Sequence, residues 1–499
     1  MKQFVTTMIA LCFTASAFAT DGTRMIGFNA KMTGRGGTAI GVFDSPTLMM
    51  TNPAGLSFLD GSALDVNLSL MIPQVKFTNL LNSSVEGKTN IFPLPDVAYA
   101  HHAEENPFTW GIGVFTYGGM GADFTLNHDL FRNIDGSFAQ QEYHSKLALM
   151  QGGVSAAYRL TPDFSIGVTA HMAYSMLEFT MPYSLSPSVM KGVINPATGM
   201  TFGDMFSGSP AAGGFGYTEV TAAAAMNNLA ALGFNGKIGL AYRVNPSFTI
   251  GASYSAPTAL TYKNGKATMD MTAQLNNAFG RGVQGYMAQN PSATAQQAQQ
   301  AVMAQFAGLG IDLSKGAVAQ YDLQTKLTFP QSIGAGVAFK PSESVRLSVD
   351  VEWVNWSKAF DKMTINLSNG NNSNINRMLG NSGTFSLDFP MQWKDSYAFR
   401  VGGEYILTKL LTLSAGYAYG SNPVPESTIF PVFPAIVENH LMVGITYRLF
   451  DLFALNASYE LALNKKLDAA SKSLIAQEYN SSASQLGENI FHFAMSLPF

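Results

Sequence analysis

Few side chains in this sequence are spaced to do chemistry. Gly34-Arg35-Gly36-Gly37-Thr38 has the glycine density of a phosphate cradle, but the Gly-Lys-Ser/Thr ending such a loop needs is absent. His101-His102 suggests a metal site, yet adjacent strand residues point to opposite faces and cannot readily share one ion. Lipid hydrolysis would need a Ser-His pair with an orienting group. His171 and His492 fall on the polar parity of alternating segments, but no serine is marked as a partner. The single cysteine, Cys12, lies in the N-terminal apolar run, so the rest of the chain has no thiol chemistry. The net charge of −4 gives nucleic acid no footprint. The reading is of a protein without catalytic residues, metal or cofactor.

What would position any site is a set of strands. The 499 residues are 47% hydrophobic and only 12% charged. Beyond the N-terminus no stretch of about 18 apolar residues occurs, which argues against a helical span. Low charge without long apolar runs suits a transmembrane β-barrel, whose lipid-facing residues alternate with lumen-facing ones. Phe491, Phe493, Met495, Leu497 and Phe499 share one face of the last segment, with His492, Ala494, Ser496 and Pro498 opposite. Phe164 to Met176 and Leu64 to Ile72 repeat the pattern. About fourteen strands follow, an even number, beginning near Ser62, Pro95, Phe108, Lys146, Phe164, Gly236, Phe248, Lys326, Ser344, Ser396, Leu411, Asn439, Phe453 and Asn489. Their connections alternate between tight turns, assigned to the periplasmic side, and long outer loops. Tyr158-Arg159-Leu160-Thr161-Pro162-Asp163-Phe164 and Tyr242-Arg243-Val244-Asn245-Pro246-Ser247-Phe248 are parallel versions of such a turn. Tyr and Phe there belong to an interfacial girdle, and each Arg faces the lumen.

Residues 1–19 read as a secretory signal peptide: Lys2, an apolar core from Val5 to Phe13, and the small-x-small site Ala17-Phe18-Ala19. Its removal makes the net charge −5. Residues 20–61 lack alternation and are glycine-rich, as a compact plug inside a wide barrel would be. Residues 62–499 form the barrel. Two connections, 178–234 and 264–320, are too long for simple turns and are expected to carry helices around Ala222 to Leu232 and from Ala293 to Ala307. They hold Met181, Met200, Met205, Phe206, Met226, Met271, Met287 and Met303. Flexible methionine suits capture of varied apolar molecules, and it equally suits loops packing on one another.

The ordered motifs resemble those of the FadL/TodX family of outer-membrane transporters for long-chain fatty acids and other hydrophobic compounds. Asn52-Pro53-Ala54-Gly55 is similar to the signature of that family's N-terminal hatch. Phe108 to Gly119 resembles the third strand, Leu327-Thr328-Phe329-Pro330 a strand opening, and Trp353-Val354-Asn355-Trp356-Ser357 a strand ending. Lys394-Asp395-Ser396-Tyr397 and Ser421-Asn422-Pro423-Val424-Pro425 match in order. The resemblance implies a fourteen-stranded, hatch-plugged barrel that passes apolar molecules by diffusion, with the hatch around Asn52 to Gly55 moving. It implies an inward kink at Gly118, Gly119 and Gly121 that opens the wall toward lipid. The alternative there is a strand merely ending in a loop. It makes Lys394 a candidate head-group contact, against the alternative of a solvated lysine. For a sixteen-carbon acid, tail burial at about 0.8 kcal/mol per CH₂ outweighs a charged hydrogen bond of roughly 1.5–3 kcal/mol. The fifth strand ends in Met176-Leu177-Glu178-Phe179, without the basic residue of the fatty-acid carrier, which leaves room for aromatic or neutral hydrocarbons. The expected partners are a hydrophobic small molecule, outer-membrane lipid and lipopolysaccharide, and barrel-assembly machinery through Phe499. A lipid hydrolase, a general porin and a surface antigen are the competing readings.

Overall fold

The computed structural model describes residues 22–499, apart from 104, 105, 134, 450 and 451. The signal-peptide expectation falls on residues 1–19, outside that range. The described chain is a closed antiparallel barrel of 14 wall strands. They are β1 (Ala63–Thr78), β2 (Phe92–His102), β3 (Phe108–Leu126), β4 (Gln141–Thr161), β5 (Phe164–Leu185) and β6 (Val220–Asn245). Four wall strands are each made of two pieces: β7 (Phe248–Ser255 and Thr258–Asp270), β8 (Val318–Phe329 and Ser332–Ser342), β9 (Val345–Val354 and Lys362–Ser368) and β10 (Phe385–Pro390 and Ser396–Ile406). The wall ends with β11 (Leu411–Gly420), β12 (Asn439–Leu449), β13 (Phe453–Asp468) and β14 (Ala483–Pro498). Closure is between first and last, from Ala63 opposite Pro498 to Thr78 opposite Ala483. No described helix is long and apolar enough to cross a membrane.

Period-two alternation sets the two faces. Ile112, Val114, Val154, Val168, Ile238 and Val443 are exposed on the outside, as a lipid-facing band requires. The tight turns put Tyr158, Tyr242 and Tyr447 outward at one rim. Arg243 points inward: its guanidinium donates to the Phe58 carbonyl at 2.9 Å and lies over the Phe58 ring. Phe499 is exposed, and its N–H donates to the Ser62 carbonyl at 2.8 Å, so the chain end is held on the rim of β1.

The outer loops differ from expectation in two places. Ala222 to Leu232 is not helical but the outer half of β6, paired with β5 (Tyr183 opposite Ala222) and with β7 (Ala223 opposite Asp270). Alanine's helix preference is worth less than two flanking ladders. The other loop holds two helices, α3 (Thr272–Gln289) and α4 (Ala295–Gly308), where only the second was legible. Thr294 and Gln297 form a capping box that starts α4; α3 has no side-chain cap to announce it.

Candidate functional site: hatch, wall window and aromatic ladder

Residues 22–59 fill the lumen and are buried almost throughout. They form one short helix, α1 (Ala30–Gly34), capped by the Asn29 side chain, and two 3-10 turns, Pro46–Met50 and Pro53–Phe58. A peptide with so little regular structure must satisfy its backbone elsewhere. It does so on the wall. The Ala39 and Ile40 N–H groups donate to Asp350 at 2.7 and 2.9 Å, and Ala30 N–H donates to Asn67 at 3.0 Å. Asp65 accepts from Asn29 and Ser45. Asn52 donates to the Ile40 carbonyl at 2.8 Å and to the wall carbonyl of Leu240 at 2.9 Å, while its own side chain accepts from Ala54 N–H. Pro53 and Ala54 rest on glycines: a Cβ on Gly167 would stand 2.4 Å from Ala54 N, and one on Gly239 would stand 2.1 Å from the Asn52 side chain. The Asn-Pro-Ala-Gly motif is thus one of the points where hatch and wall are closely clamped.

Charge reinforces the clamp. Asp44 sits among Arg35, Lys31 and Arg346, with Arg35 bidentate at 3.1 and 3.0 Å. Burial would raise its pKa, but the three cations hold the carboxyl well below its usual range. Glu404 joins the group through Arg346 and Arg35.

The wall beside the hatch is interrupted at β3. Pairing with β2 ends at Val97 opposite Val114. From Phe115 to Ala122 every residue is buried, so neither face meets lipid. A register shift falls between Thr116 and Gly118, leaving Tyr117 as the extra residue. The hatch supplies the missing partner. Met25 N–H donates to the Tyr117 carbonyl at 3.1 Å, Gly119 N–H to the Thr23 carbonyl at 2.9 Å, and Arg24 bridges Gly118. Gly118, Gly119 and Gly121 all have ordinary negative φ. At Gly118 the reason for glycine is contact rather than backbone angle: a Cβ would stand 2.0 Å from the Thr23 carbonyl oxygen.

Above the hatch runs a ladder of rings. Phe28 stacks on Tyr117 at 6.2 Å between centroids; Tyr117 meets Phe329, and Phe329 meets Phe360. Phe360 packs on Trp393 at 4.6 Å and continues through Phe433 and Phe430 to Tyr479 and Phe77 in the outer part. Most of these rings come from β-strand ends and loops that alternation alone did not bring together. At the hatch end lies a void of about 30 Å³, bounded by Met25, Phe28, Met50, Tyr117 and Lys237, room for a single water.

The expected capture residues divide. Met181, Met205, Phe206, Met226 and Met271 are buried; Met200, Met287 and Met303 are exposed. Phe206, on the short helix α2 (Phe202–Ser207), packs on Phe215 and Tyr217, and Met181 lies 3.9 Å from the Tyr479 hydroxyl, beside the ladder. Lys394 is exposed, its N–H bonded to the Pro423 carbonyl, and its neighbour Trp393 is the residue inside. An outer cleft of about 360 Å³ is lined by Tyr183 and Leu185 together with Glu219, Asp361, Asp388 and Lys362. The structure also gives His492 a partner that sequence reading missed. Ser69 Oγ lies 2.7 Å from His492 Nδ1, and Glu460 lies 3.3 Å from Nε2. All three are sealed in the wall at 2% exposure or less, so no substrate reaches them.

No curated protein matches the chain. Among solved structures, the Pseudomonas putida toluene transporter TodX shares 18% identity at a TM-score of 0.66, over 95% of this chain and 99% of that one. The Ralstonia pickettii toluene transporter TbuX shares 18% at 0.62, over 95% and 98%. A Pseudomonas aeruginosa FadL homologue shares 15% at 0.66, over 96% and 100%. These likenesses establish the barrel fold. The model of the outer membrane protein transport family (OMPP1/FadL/TodX) matches residues 6–496, so the chain belongs to that family of outer-membrane transport proteins and is not an enzyme.

Proposed function

We propose that this protein is a passive channel for small neutral hydrophobic compounds, aromatic hydrocarbons foremost. The outer loops collect them, the aromatic ladder conducts them, the hatch gates, and the β3 window releases them into lipid. The observation that carries this reading is the continuous ladder from Phe77 to Phe28. Each ring offers an apolar face, and flat ligands exchange readily between edge and stacked contacts. The outer cleft favours neutral cargo too, since its carboxylates outnumber Lys362, which is already paired with Asp388 at 2.6 Å. Two of the solved relatives are toluene transporters, in keeping with that cargo.

A long-chain fatty acid is the second reading, favoured by Lys237. The side chain of this buried lysine borders the void beside Phe28, where Glu352 is the carboxylate that faces its charge. Uptake of labelled toluene and labelled oleate into cells lacking their own carrier separates the two. Toluene uptake unaffected by Lys394→Ala is the expected result. Oleate uptake alone, abolished by Lys237→Met, would replace the first reading with the second.

A further inference from the structure

The two-piece strands break at one height. The breaks fall at Ala256–Pro257 in β7, Pro330–Gln331 in β8, residues 355–361 in β9 and residues 391–395 in β10. Across each break the inward parity flips: in β8 from Phe329 to Ser332, in β7 from Ser255 to Thr258. Between β8 and β9 the ladder is interrupted outright. Thr325 pairs with Ile365, and the next pair is Ser332 with Val354. Into this gap β9 sends a single helical turn, α5 (Trp356–Ala359), whose Trp356 and following Phe360 are fully buried in the aromatic ladder.

One backbone bond, from the Asn355 N–H to the Gln331 carbonyl at 3.0 Å, crosses the gap, and a chain of side chains runs along it. Tyr254 OH donates to Gln331 at 3.0 Å, Gln331 to Asn355 at 3.2 Å, and Asn355 to Asp395 at 3.0 Å; the Trp353 indole also donates to Asp395. Three of the motifs noted in the sequence, Leu327 to Pro330, Trp353 to Ser357 and Lys394 to Tyr397, therefore meet at one place. Outside, on the lipid-facing wall, a groove of about 780 Å³ abuts the gap, lined by Tyr254, Ile333, Trp353, Tyr397 and Phe399. Inside, the Trp356 indole N–H is buried and finds no acceptor among the described residues. Buried tryptophan normally finds one, so this ring is held by packing alone.

We infer that this seam is a second lateral portal, separate from β3, through which a neutral aromatic or alkyl compound dissolved in the outer leaflet exchanges with the ladder, with Trp356 as its plug. The inference rests on the proposed cargo class. The groove is continuous with the lipid-facing band and ends at the break in the ladder, which Trp356 fills from the inside. A seam held by one backbone bond and a side-chain clasp opens at less cost than a full backbone ladder, because each hydroxyl and side-chain amide can turn to another partner.

The test pairs Gln331→Cys with Asn355→Cys, whose disulfide locks the seam. The full-length barrel, in phosphatidylethanolamine vesicles, is photolabelled with a diazirine-bearing dodecane dissolved in the bilayer. With the disulfide formed, label on the peptide carrying Trp356 and Phe360 should fall at least 5-fold, while label at Tyr397 in the groove stays constant; reduction should restore it. Interior label indifferent to the lock overturns the portal. If the double variant does not fold, Trp356→Ala decides: removing the plug should raise label at Phe360 several-fold, and unchanged label overturns the proposal. Toluene uptake by the unlocked protein is measured beside it, so loss of the cargo reading is seen separately from loss of the portal.

Discussion

Arg24 and Glu352 meet at 2.7 Å, and that contact ties the hatch segment patching β3 to β9, six strands away around the wall. Arg400 holds the other oxygen of Glu352 at 3.0 Å, and all three side chains are nearly sealed from solvent. The strand that covers the window is anchored by a buried charge pair.

Glu352→Gln should release that anchor. Breaking one side of a buried ion pair costs about 3–5 kcal/mol, because the remaining cation stays desolvated. The expected result is faster amide exchange at Met25 and Gly119, whose bonds join hatch to β3, and a several-fold rise in toluene uptake. Unchanged exchange at both amides would show that the pair does not hold the window shut.

Gly118→Val should force the same strand away by contact. The added Cβ meets the Thr23 carbonyl oxygen, a backbone atom that cannot rotate aside. Gly136→Ala, a substitution with open space around its Cβ but at a positive φ, serves as a control outside the window. Protease cleavage within residues 22–28 should increase for the first and not for the second.

Asn52→Ala removes a cap, the bond that clamps the hatch to the wall at Leu240, and the bond to Ile40 within the hatch. Loss of the cap alone costs about 1 kcal/mol, and each of the two lost hydrogen bonds adds roughly 0.5–1.5 kcal/mol. Hydrogen exchange of residues 39–55 should accelerate at least 10-fold while the β1–β14 seam stays protected. Equal acceleration in the seam would mean that the motif supports the whole barrel rather than the hatch.

Glu478 gives the outer loops a pH dependence. Burial pushes its carboxyl up to about 7, Glu219 adds to the rise, and the hydroxyls of Tyr143 and Tyr479 oppose it. His128 stands 4.0 Å away, but burial depresses it to about 4, so it is neutral through the same range. A carboxyl with a raised folded pKa contributes fully below its unfolded pKa, near 4.3, and the contribution is lost as pH climbs through 7. The protection factor of residues 469–482, exchange corrected for its intrinsic rise with hydroxide, should therefore fall between pH 5 and pH 8, and Glu478→Gln should flatten that fall. An unchanged slope in that variant would place the titration elsewhere.

The sequence made the lower half of the wall readable and concealed the upper half. Alternation ran cleanly from Phe164 to Met176 and from Phe491 to Phe499, where one face meets lipid. In β7 to β10 the parity flip cuts each strand, so Thr258–Asp270, Lys362–Ser368 and Phe385–Pro390 lost their phase and read as loop. The hatch was legible as a stretch with no period, and Asn52 to Gly55 as its motif. The ladder was not, because Phe28, Tyr117, Phe329, Phe360 and Trp393 are joined only by the closed topology. Lys394 drew attention by its motif, while the inward residue of that run is Trp393.

The hatch touches both sides of the closing seam. Asn29 and Ala30 bond to Asp65 and Asn67 on β1, and α1 packs against β12, β13 and β14. Those strands lie at opposite ends of the barrel segment, so the seam cannot close before the last strand is present, and it carries a large loop-closure entropy. A segment already folded on β1 offers the arriving last strands a surface shaped to receive them. The plug is then also a mandrel: its contacts on β1 and on β12 to β14 define from within the register at which the two edges join.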